Sequence, residues 1–182
     1  MSEQSHDAPA PGQPPAGQGA APAAGAAPDA EHRPQFDILR IYTKDTSLET
    51  PCSPQIFQHE WQPDLKVEFD VLPTRLEEGR DEYEVNLRVT VTCTCGSETA
   101  FITEVNQAGI FLVRNMPPET AEYLFGATIP TILFPYAREH ISSLVTRSTF
   151  PPLNLAPINF DMMFRAKKAQ VTRQQQDPPP AA

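Results

Sequence analysis

Apolar and polar residues alternate with a period of two along the first half of the chain. Residues 65–71 and 83–93 place an apolar side chain at every second position. This pattern gives a strand one buried face and one solvated face, which is typical of antiparallel sheets. Two more strands are predicted, over about 36–43 and over 98–106. The turn Cys95-Gly96-Ser97 is predicted to join the last two strands as a hairpin.

The second half of the chain changes to a helical period. A short helix is predicted from Pro117-Pro118-Glu119 to about Gly126, because proline and an acid favour a helix N-terminus. A longer helix follows, with apolar residues at spacings of three and four. After a proline-rich extended stretch over 150–157, Asn159 is predicted to cap a last helix that ends at Lys167-Lys168. Strands followed by helices predict an α+β fold, a four-stranded antiparallel sheet with helices packed on one face.

Composition separates this core from both ends of the chain. Ala, Pro and Gly fill 20 of the first 30 positions. So few bulky apolar side chains cannot offset the entropy of ordering the backbone. We therefore interpret 1–34 as a disordered tail, 35–170 as the folded domain, and 171–182, which is rich in Gln and Pro, as a flexible C-terminal tail.

Several classes of protein are disfavoured by the sequence. No apolar run approaches the roughly 20 residues that a membrane helix needs. The Ala-rich start has neither the basic segment nor the Leu-rich segment of a secretory signal. We therefore expect a cytoplasmic protein without direct membrane insertion. The net charge of -9 is unfavourable for nucleic-acid binding, which requires clustered Lys and Arg.

The negative charge is concentrated in the first half of the predicted fold. Residues 36–113 carry 14 acidic and 6 basic side chains, whereas residues 114–169 carry 4 acidic and 6 basic side chains. Two interpretations are open. The acids either form an ordinary solvated surface or form a surface that attracts a basic partner.

The cysteines are weak candidates for chemistry. Cys93 and Cys95 lie two apart in a predicted strand, so their side chains share a face at a spacing of about 7 Å, too far for a disulfide. No second ligand pair accompanies them, and His59 and His140 are too scattered to complete a zinc site. No phosphate-binding loop, nucleophile elbow or zinc-protease motif is present. We interpret these cysteines as buried or interface thiols and expect no metal, no cofactor and no enzyme. An enzyme that uses Cys93 or Cys95 is kept as an alternative.

The predicted sheet carries more apolar surface than a few short helices can cover. The residues concerned are Trp61, Leu65, Val67, Phe69, Phe101 and Val105. Exposed apolar surface in an acidic protein indicates self-association or a binding groove. An ordinary core beneath the helices is the equally open alternative.

Six blocks of the sequence follow a family pattern in the same order. They are Ile41-Tyr-Thr-Lys-Asp45, Phe57 with Trp61-Gln-Pro63, Arg88-Val-Thr-Val-Thr92, Glu98-Thr-Ala-Phe101, Ile132-Leu-Phe-Pro-Tyr-Ala-Arg-Glu139 and Thr149-Phe-Pro-Pro-Leu-Asn-Leu-Ala-Pro-Ile-Asn-Phe160. They resemble the bacterial protein-export chaperone family SecB, over about 36–168. The resemblance implies an ATP-independent holdase in the cytoplasm that binds unfolded precursor proteins, keeps them translocation-competent and delivers them to the SecA motor. It also implies a homotetramer, built as a dimer of dimers.

The resemblance further implies roles for particular residues. A groove for clients is expected at Trp61, Leu65, Val67, Phe69 and Phe101. An oligomer interface is expected at Thr103, Val105 and Gln107. SecA docking is expected at Asp45, Glu49, Ile102 and Glu104. Ile102 and Glu104 alternate with Phe101, Thr103 and Val105, so they are predicted to point to the opposite, solvated face of the sheet.

Two regions depart from the family pattern. The segment 1–34 has no counterpart in shorter family members, and the C-terminal tail contains a single acid, Asp177. A different class of function also remains open. A small α+β domain with a closed pocket would bind small apolar ligands instead of unfolded protein.

Overall fold

A computed structural model describes residues 33–176. Its four strands are β1 (Gln35–Glu49), β2 (Pro63–Arg75), β3 (Glu82–Cys95) and β4 (Glu98–Arg114). They form one sheet in the order β1-β4-β3-β2, and every neighbouring pair is antiparallel. The predicted four-stranded antiparallel sheet is therefore confirmed.

The strands are longer than the alternating pattern predicts. β4 continues from Asn106 to Arg114, because the small side chains Ala108 and Gly109 interrupt the pattern without interrupting the pairing. β2 continues through Pro73 to Arg75, so the loop to β3 begins later than predicted. The predicted hairpin is present, and Gly96 adopts a φ of +62° that L residues other than glycine rarely take.

The helical half contains α1 (Pro118–Tyr123), a π-helical turn (Leu124–Thr128) and α2 (Ile129–Arg147) in direct succession. The prediction that the first helix stops near Gly126 is wrong. Gly126 lies inside the π-helical turn, where a Cβ atom would come within 2.3 Å of the Phe164 ring. This glycine permits close packing and does not end a helix.

The last helix, α3, spans Phe160–Gln176. Its predicted cap is confirmed, because the backbone N–H of Met162 donates to Oδ1 of Asn159 at 3.0 Å. The predicted end at Lys167-Lys168 is wrong, since the helix continues through residues with no helix-breaking side chain. The backbone of 171–176, which we expected to begin a tail, is thus helical. Residues 177–182 and all but the last two residues of the predicted 1–34 tail lie outside the described part of the chain.

The core lies between α2 and one face of the sheet, which we call the inner face. The side chains of α2 that pack on it include Leu133, Phe134, Ala137, Ile141 and Val145, all of them buried. The opposite face of the sheet, the outer face, has no helix packed on it among the described residues. Within 33–176, no helix is both long enough and apolar enough to span a membrane.

Candidate functional site

Strand alternation gives the sheet two chemically different faces. On β3 and β4, residues at odd positions from Val85 and Phe101 onward are buried against the helices, whereas the even positions between them, except the small and fully buried Ala108, are at least partly exposed. The inner face is mainly apolar, and the outer face carries most of the polar and acidic side chains of the sheet. Each face is a separate candidate surface for binding another protein.

The outer face brings all four predicted SecA-docking residues together. Across the strands, Asp45 is opposite Asn106, and Glu49 is opposite Ile102. Ser47 lies between them and is opposite Glu104. Residues directly opposite in an antiparallel pair share a face, so the four predicted side chains form one patch at the β1–β4 edge of the sheet.

The carboxylate of Glu104 is held by two neighbours that the sequence did not single out. Thr90 donates its hydroxyl to Oε2 of Glu104 at 3.1 Å, and Asn106 donates Nδ2–H to Oε1 at 3.1 Å. Thr90 is directly opposite Glu104 on β3. Strand alternation gives the face of Thr90, but only the register between β3 and β4 identifies it as a partner of Glu104.

One arginine lies near the centre of the acidic outer face. Arg88 is opposite both Asn106 on β4 and Asp70 on β2, and its guanidinium donates to the Asp70 carboxylate. The hydrogen bond and charge of Asp70, with a smaller contribution from Glu104, raise the pKa of Arg88 above its ordinary value. The acidic character of the face is thus partly neutralised near its centre.

A tighter polar cluster lies on the outer face beside this acidic patch. The Tyr42 hydroxyl donates to Oε1 of Glu84, and Nζ of Lys44 lies 2.8 Å from Oε2 of the same carboxylate. Lys44 and Tyr42 hold the pKa of Glu84 below its usual range. Partial burial, together with the neighbouring carboxylate, raises the pKa of Tyr42 to about 12. The cluster connects β1 to β3 across the intervening strand β4.

The inner face is incompletely covered at β2. Leu65, Val67 and Phe69 are opposite Cys93, Val91 and Val89, which are fully buried. β2 is an edge strand, however, and its inner side chains are only half-buried, with Leu65 42% exposed. A strip of apolar surface therefore remains open along this edge.

Aromatic side chains border the open strip in two clusters. In the first cluster, Trp61, Phe57 and Phe101 surround Phe150 with ring centroids 5.6, 5.0 and 5.1 Å from it. In the second cluster, the rings of Phe69, Phe134 and Phe160 lie within 6 Å of each other. Phe57 is half-exposed, and the two clusters lie at opposite ends of the β2 strip.

Four of the five predicted groove residues are accessible, and the fifth is not. Trp61, Leu65, Val67 and Phe69 are exposed or half-buried, whereas Phe101 is only 1% exposed, beneath Phe150. Phe101 therefore belongs to the floor of the first cluster. The sequence pattern missed Phe150, because it lies in a proline-rich stretch without periodicity.

The predicted interface residues lie inside the protomer. Thr103, Val105 and Gln107 are 0%, 0% and 2% exposed. Thr103 donates to the backbone carbonyl of Ser47 at 2.9 Å, and Gln107 donates to the carbonyl of Tyr42 at 2.9 Å. Within the protomer, α2 covers this part of the inner face. The oligomer interface expected at these three residues stays a prediction.

The cysteines form no cluster with possible metal ligands. Cys93 and Cys95 are buried and free, and burial raises the pKa of the Cys93 thiol to about 11. Among residues 33–176, no three His, Cys, Asp or Glu side chains are arranged to hold a metal ion. The two thiols pack as small apolar side chains of the core.

An antiparallel sheet with an acidic outer face and a partly uncovered apolar inner face defines an α+β protein with two candidate surfaces for binding other proteins. The family model described as preprotein translocase subunit SecB matches residues 29–171. The chain belongs to the SecB family, and its role is that of a chaperone.

One solved structure supports the fold. The chain is similar to the SecB-like chaperone Rv1957 of Mycobacterium tuberculosis, solved in complex with a ChAD peptide from the Rv1956 HigA1 antitoxin. The TM-score is 0.57 at 19% identity, over 68% of this chain and 90% of that chain. A protein of unknown function from Streptococcus agalactiae matches with a TM-score of 0.36 at 6% identity, over 68% of this chain and 98% of that one.

Proposed function

We propose that the protein is an ATP-independent holdase of the cytoplasm, which binds unfolded precursor proteins, keeps them translocation-competent and delivers them to SecA. The observation that carries the proposal is the half-covered apolar strip of Leu65, Val67 and Phe69 on β2, bordered by the two aromatic clusters. We call this surface the client strip. A folded protein buries its own apolar side chains and exposes few that could contact such a surface, whereas an unfolded client exposes them.

The backbone of β2 supports binding of an extended chain. Pro63 and Pro73 lie at odd positions of this strand, opposite Cys95 and Val85 of β3. Proline cannot donate to a neighbouring strand, so the odd positions direct their backbone groups away from the sheet. The odd positions are also those with apolar side chains on the inner face. A client strand would therefore find backbone partners and apolar contacts at the same residues, whatever its sequence.

The chemistry of a holdase needs no catalytic centre. A protein that binds the unfolded state and not the native state shifts the folding equilibrium by mass action. No covalent bond is made or broken. Aromatic side chains such as Trp61 and Phe57 contribute a large contact area with few rotatable bonds, which suits clients of varied sequence.

A homotetramer, arranged as a dimer of dimers, is the proposed assembly. It is supported by β1, a 15-residue edge strand with half-exposed Ile38 and Leu39. A long exposed edge strand presents unpaired backbone N–H and C=O groups and tends to pair with another chain. Several client strips in one assembly would strengthen weak contacts through effective concentration.

Delivery to SecA is proposed to use the outer face. The acidic patch of Asp45, Glu49 and Glu104 suits a basic segment of the partner, and Ile102 adds an apolar contact. Because this patch is on the opposite side of the sheet from the client strip, client and SecA can be bound at the same time. The alternative of a closed pocket for small apolar ligands is disfavoured, because the aromatic clusters leave the β2 edge open.

Native mass spectrometry of the full chain, with and without a slowly folding precursor, tests the assembly and the holdase activity together. We expect a mass near four times 20.1 kDa and a further complex with the unfolded precursor. The folded precursor serves as the control and should not bind. A monodisperse monomer at micromolar concentration contradicts the tetramer, and equal binding of folded and unfolded precursor contradicts the holdase.

A further inference from the structure

β1 contains a bulge directly before the acidic patch. Thr43 is opposite Gln107 on β4, and Asp45 is opposite Asn106. The chain therefore advances two residues on β1 but only one residue on β4, which runs in the opposite direction. Lys44 is the extra residue. A bulge of this kind locally changes which side chains point to which face of a sheet.

The bulge decides the position of the acidic side chains. With regular pairing after Thr43, Lys44 would be opposite Asn106, and Asp45 would be opposite Val105 on the buried inner face. Glu49 would be turned inward in the same way, since a shift of one residue exchanges the two faces of a strand. With the bulge, Asp45 and Glu49 lie on the outer face, and Leu48 turns inward to pack against the core.

Contacts on both faces hold the residues around the bulge. On the outer face, Lys44 and Tyr42 both bind the carboxylate of Glu84, whose side chain is only 17% exposed. Ala108 of β4, opposite Tyr42, is small and fully buried, and this leaves room for the contact between β1 and β3. On the inner face, Thr43 donates to Gln107 at 3.2 Å and lies 2.7 Å from Nε2 of His140 on α2.

We propose that Lys44, through its ion pair with Glu84, is a positioning residue for the acidic docking surface, because it fixes the bulge that turns Asp45 and Glu49 to the outer face. The inference rests on the proposed docking of SecA to that surface. The proposal also gives Tyr42, Thr43 and Lys44 a structural role. The docking of SecA by itself assigns no role to these three residues.

The effect of removing Lys44 separates positioning from simple electrostatics. Lys44→Met makes the outer face more negative, so electrostatics alone predicts tighter binding of a basic partner. If Lys44 positions the acids, the same variant binds SecA more weakly, by about three- to tenfold. Calorimetric titration of purified SecA into the full-length chaperone measures the direction. Lys44→Arg keeps the ion pair and should restore most of the affinity.

Lys66→Met is the matched control. Lys66 lies on the outer face at the opposite edge of the sheet, in β2, where it pairs with Glu68 at 2.9 Å. The β2–β3 pairing is regular over its whole length, so no bulge depends on Lys66. Lys66→Met loses the same charge as Lys44→Met, and its affinity for SecA should be unchanged or higher.

Hydrogen exchange of β1 gives a readout that does not involve SecA. In Lys44→Met and in Glu84→Gln, the amides of residues 42–49 should exchange faster than in the wild type, whereas Lys66→Met should leave them unchanged. A wild-type protein that does not bind SecA overturns the docking proposal. The positioning role alone is overturned if the wild type binds SecA and Lys44→Met binds it as tightly as Lys66→Met does. It is also overturned if the wild type binds SecA and hydrogen exchange in β1 is unchanged in Lys44→Met.

Discussion

Glu84 shows how a single carboxylate can join two strands that are not neighbours. It accepts a hydrogen bond from Tyr42 and forms an ion pair with Lys44, and both of these residues are on β1. Its own strand, β3, is separated from β1 by β4. These contacts lower the pKa of Glu84. A carboxylate whose pKa is lowered in the folded state stabilises that state only at pH values at which the carboxylate is ionised.

The pH dependence of Glu84→Gln follows from that pKa. The stabilisation by Glu84 is fully present above its unfolded-state pKa, about 4.3, and is lost as the pH falls through the lower pKa of the folded state. The variant should therefore be less stable than the wild type near neutral pH, and the difference should shrink in acid. Urea denaturation at a series of pH values measures it. A difference that grows in acid would contradict the assignment.

At the scale of secondary-structure elements, the position of α3 depends on one glycine. The Phe164 ring packs directly on Gly126 of the π-helical turn, with Tyr123 edge-on at 5.7 Å. Lys168 lies over the same ring at 5.8 Å and pairs with Glu122 at 2.8 Å. One turn earlier, Phe160 contacts Phe69 of the apolar strip on β2. The packing of α3 on the π-helical turn therefore also affects how much of the strip is covered.

Gly126→Ala should displace α3. Its Cβ atom would lie 2.3 Å from the Phe164 ring, and overpacking of this kind costs about 1–3 kcal/mol. Urea unfolding should show the loss of stability, and limited proteolysis should cut α3 faster. In the background of Phe164→Ala the same substitution should cost less, because the clash is gone. Additive losses in the double variant would show that Gly126 acts independently of Phe164.

At the scale of the whole molecule, the two faces of the sheet should work independently. Leu65→Ala combined with Val67→Ala removes apolar side chains from the client strip without touching the outer face. Capture of an unfolded precursor should weaken by about 1–3 kcal/mol for each side chain that the client buries. The oligomer mass and SecA affinity are the controls and should not change. Unchanged capture by an intact assembly would assign both residues to the core.

Charge reversal at Asp45 and Glu104 tests the other face. The double variant should bind SecA weakly and with a flatter salt dependence, because both side chains contribute to the attraction of a basic segment. Calorimetry at two salt concentrations measures the effect. Client capture should stay at the wild-type level, since the client strip is on the inner face. Wild-type affinity for SecA, or an equal loss of client binding, would contradict the assignment of the two faces.

The sequence by itself determined the presence of the four strands, the faces of β2 and β3, and the chaperone family. Leu65 to Val71 and Tyr83 to Cys93 alternate without interruption, and period two is a local property that needs no information about distant residues. The same local rule put Ile102 and Glu104 on the opposite face from Phe101, which the structure bears out. The cap at Asn159 was also predictable, because it depends only on the next three residues.

Only the tertiary structure decided which inner-face residues are covered and how the strands are aligned. Alternation gives Val105 and Leu65 the same face, but α2 buries Val105 completely while Leu65, on the edge strand, stays 42% exposed. The bulge at Lys44 leaves no local signal, because it is fixed by Glu84 from a strand about 40 residues later in the chain. Burial and register depend on contacts between distant parts of the chain, and a local pattern does not contain them.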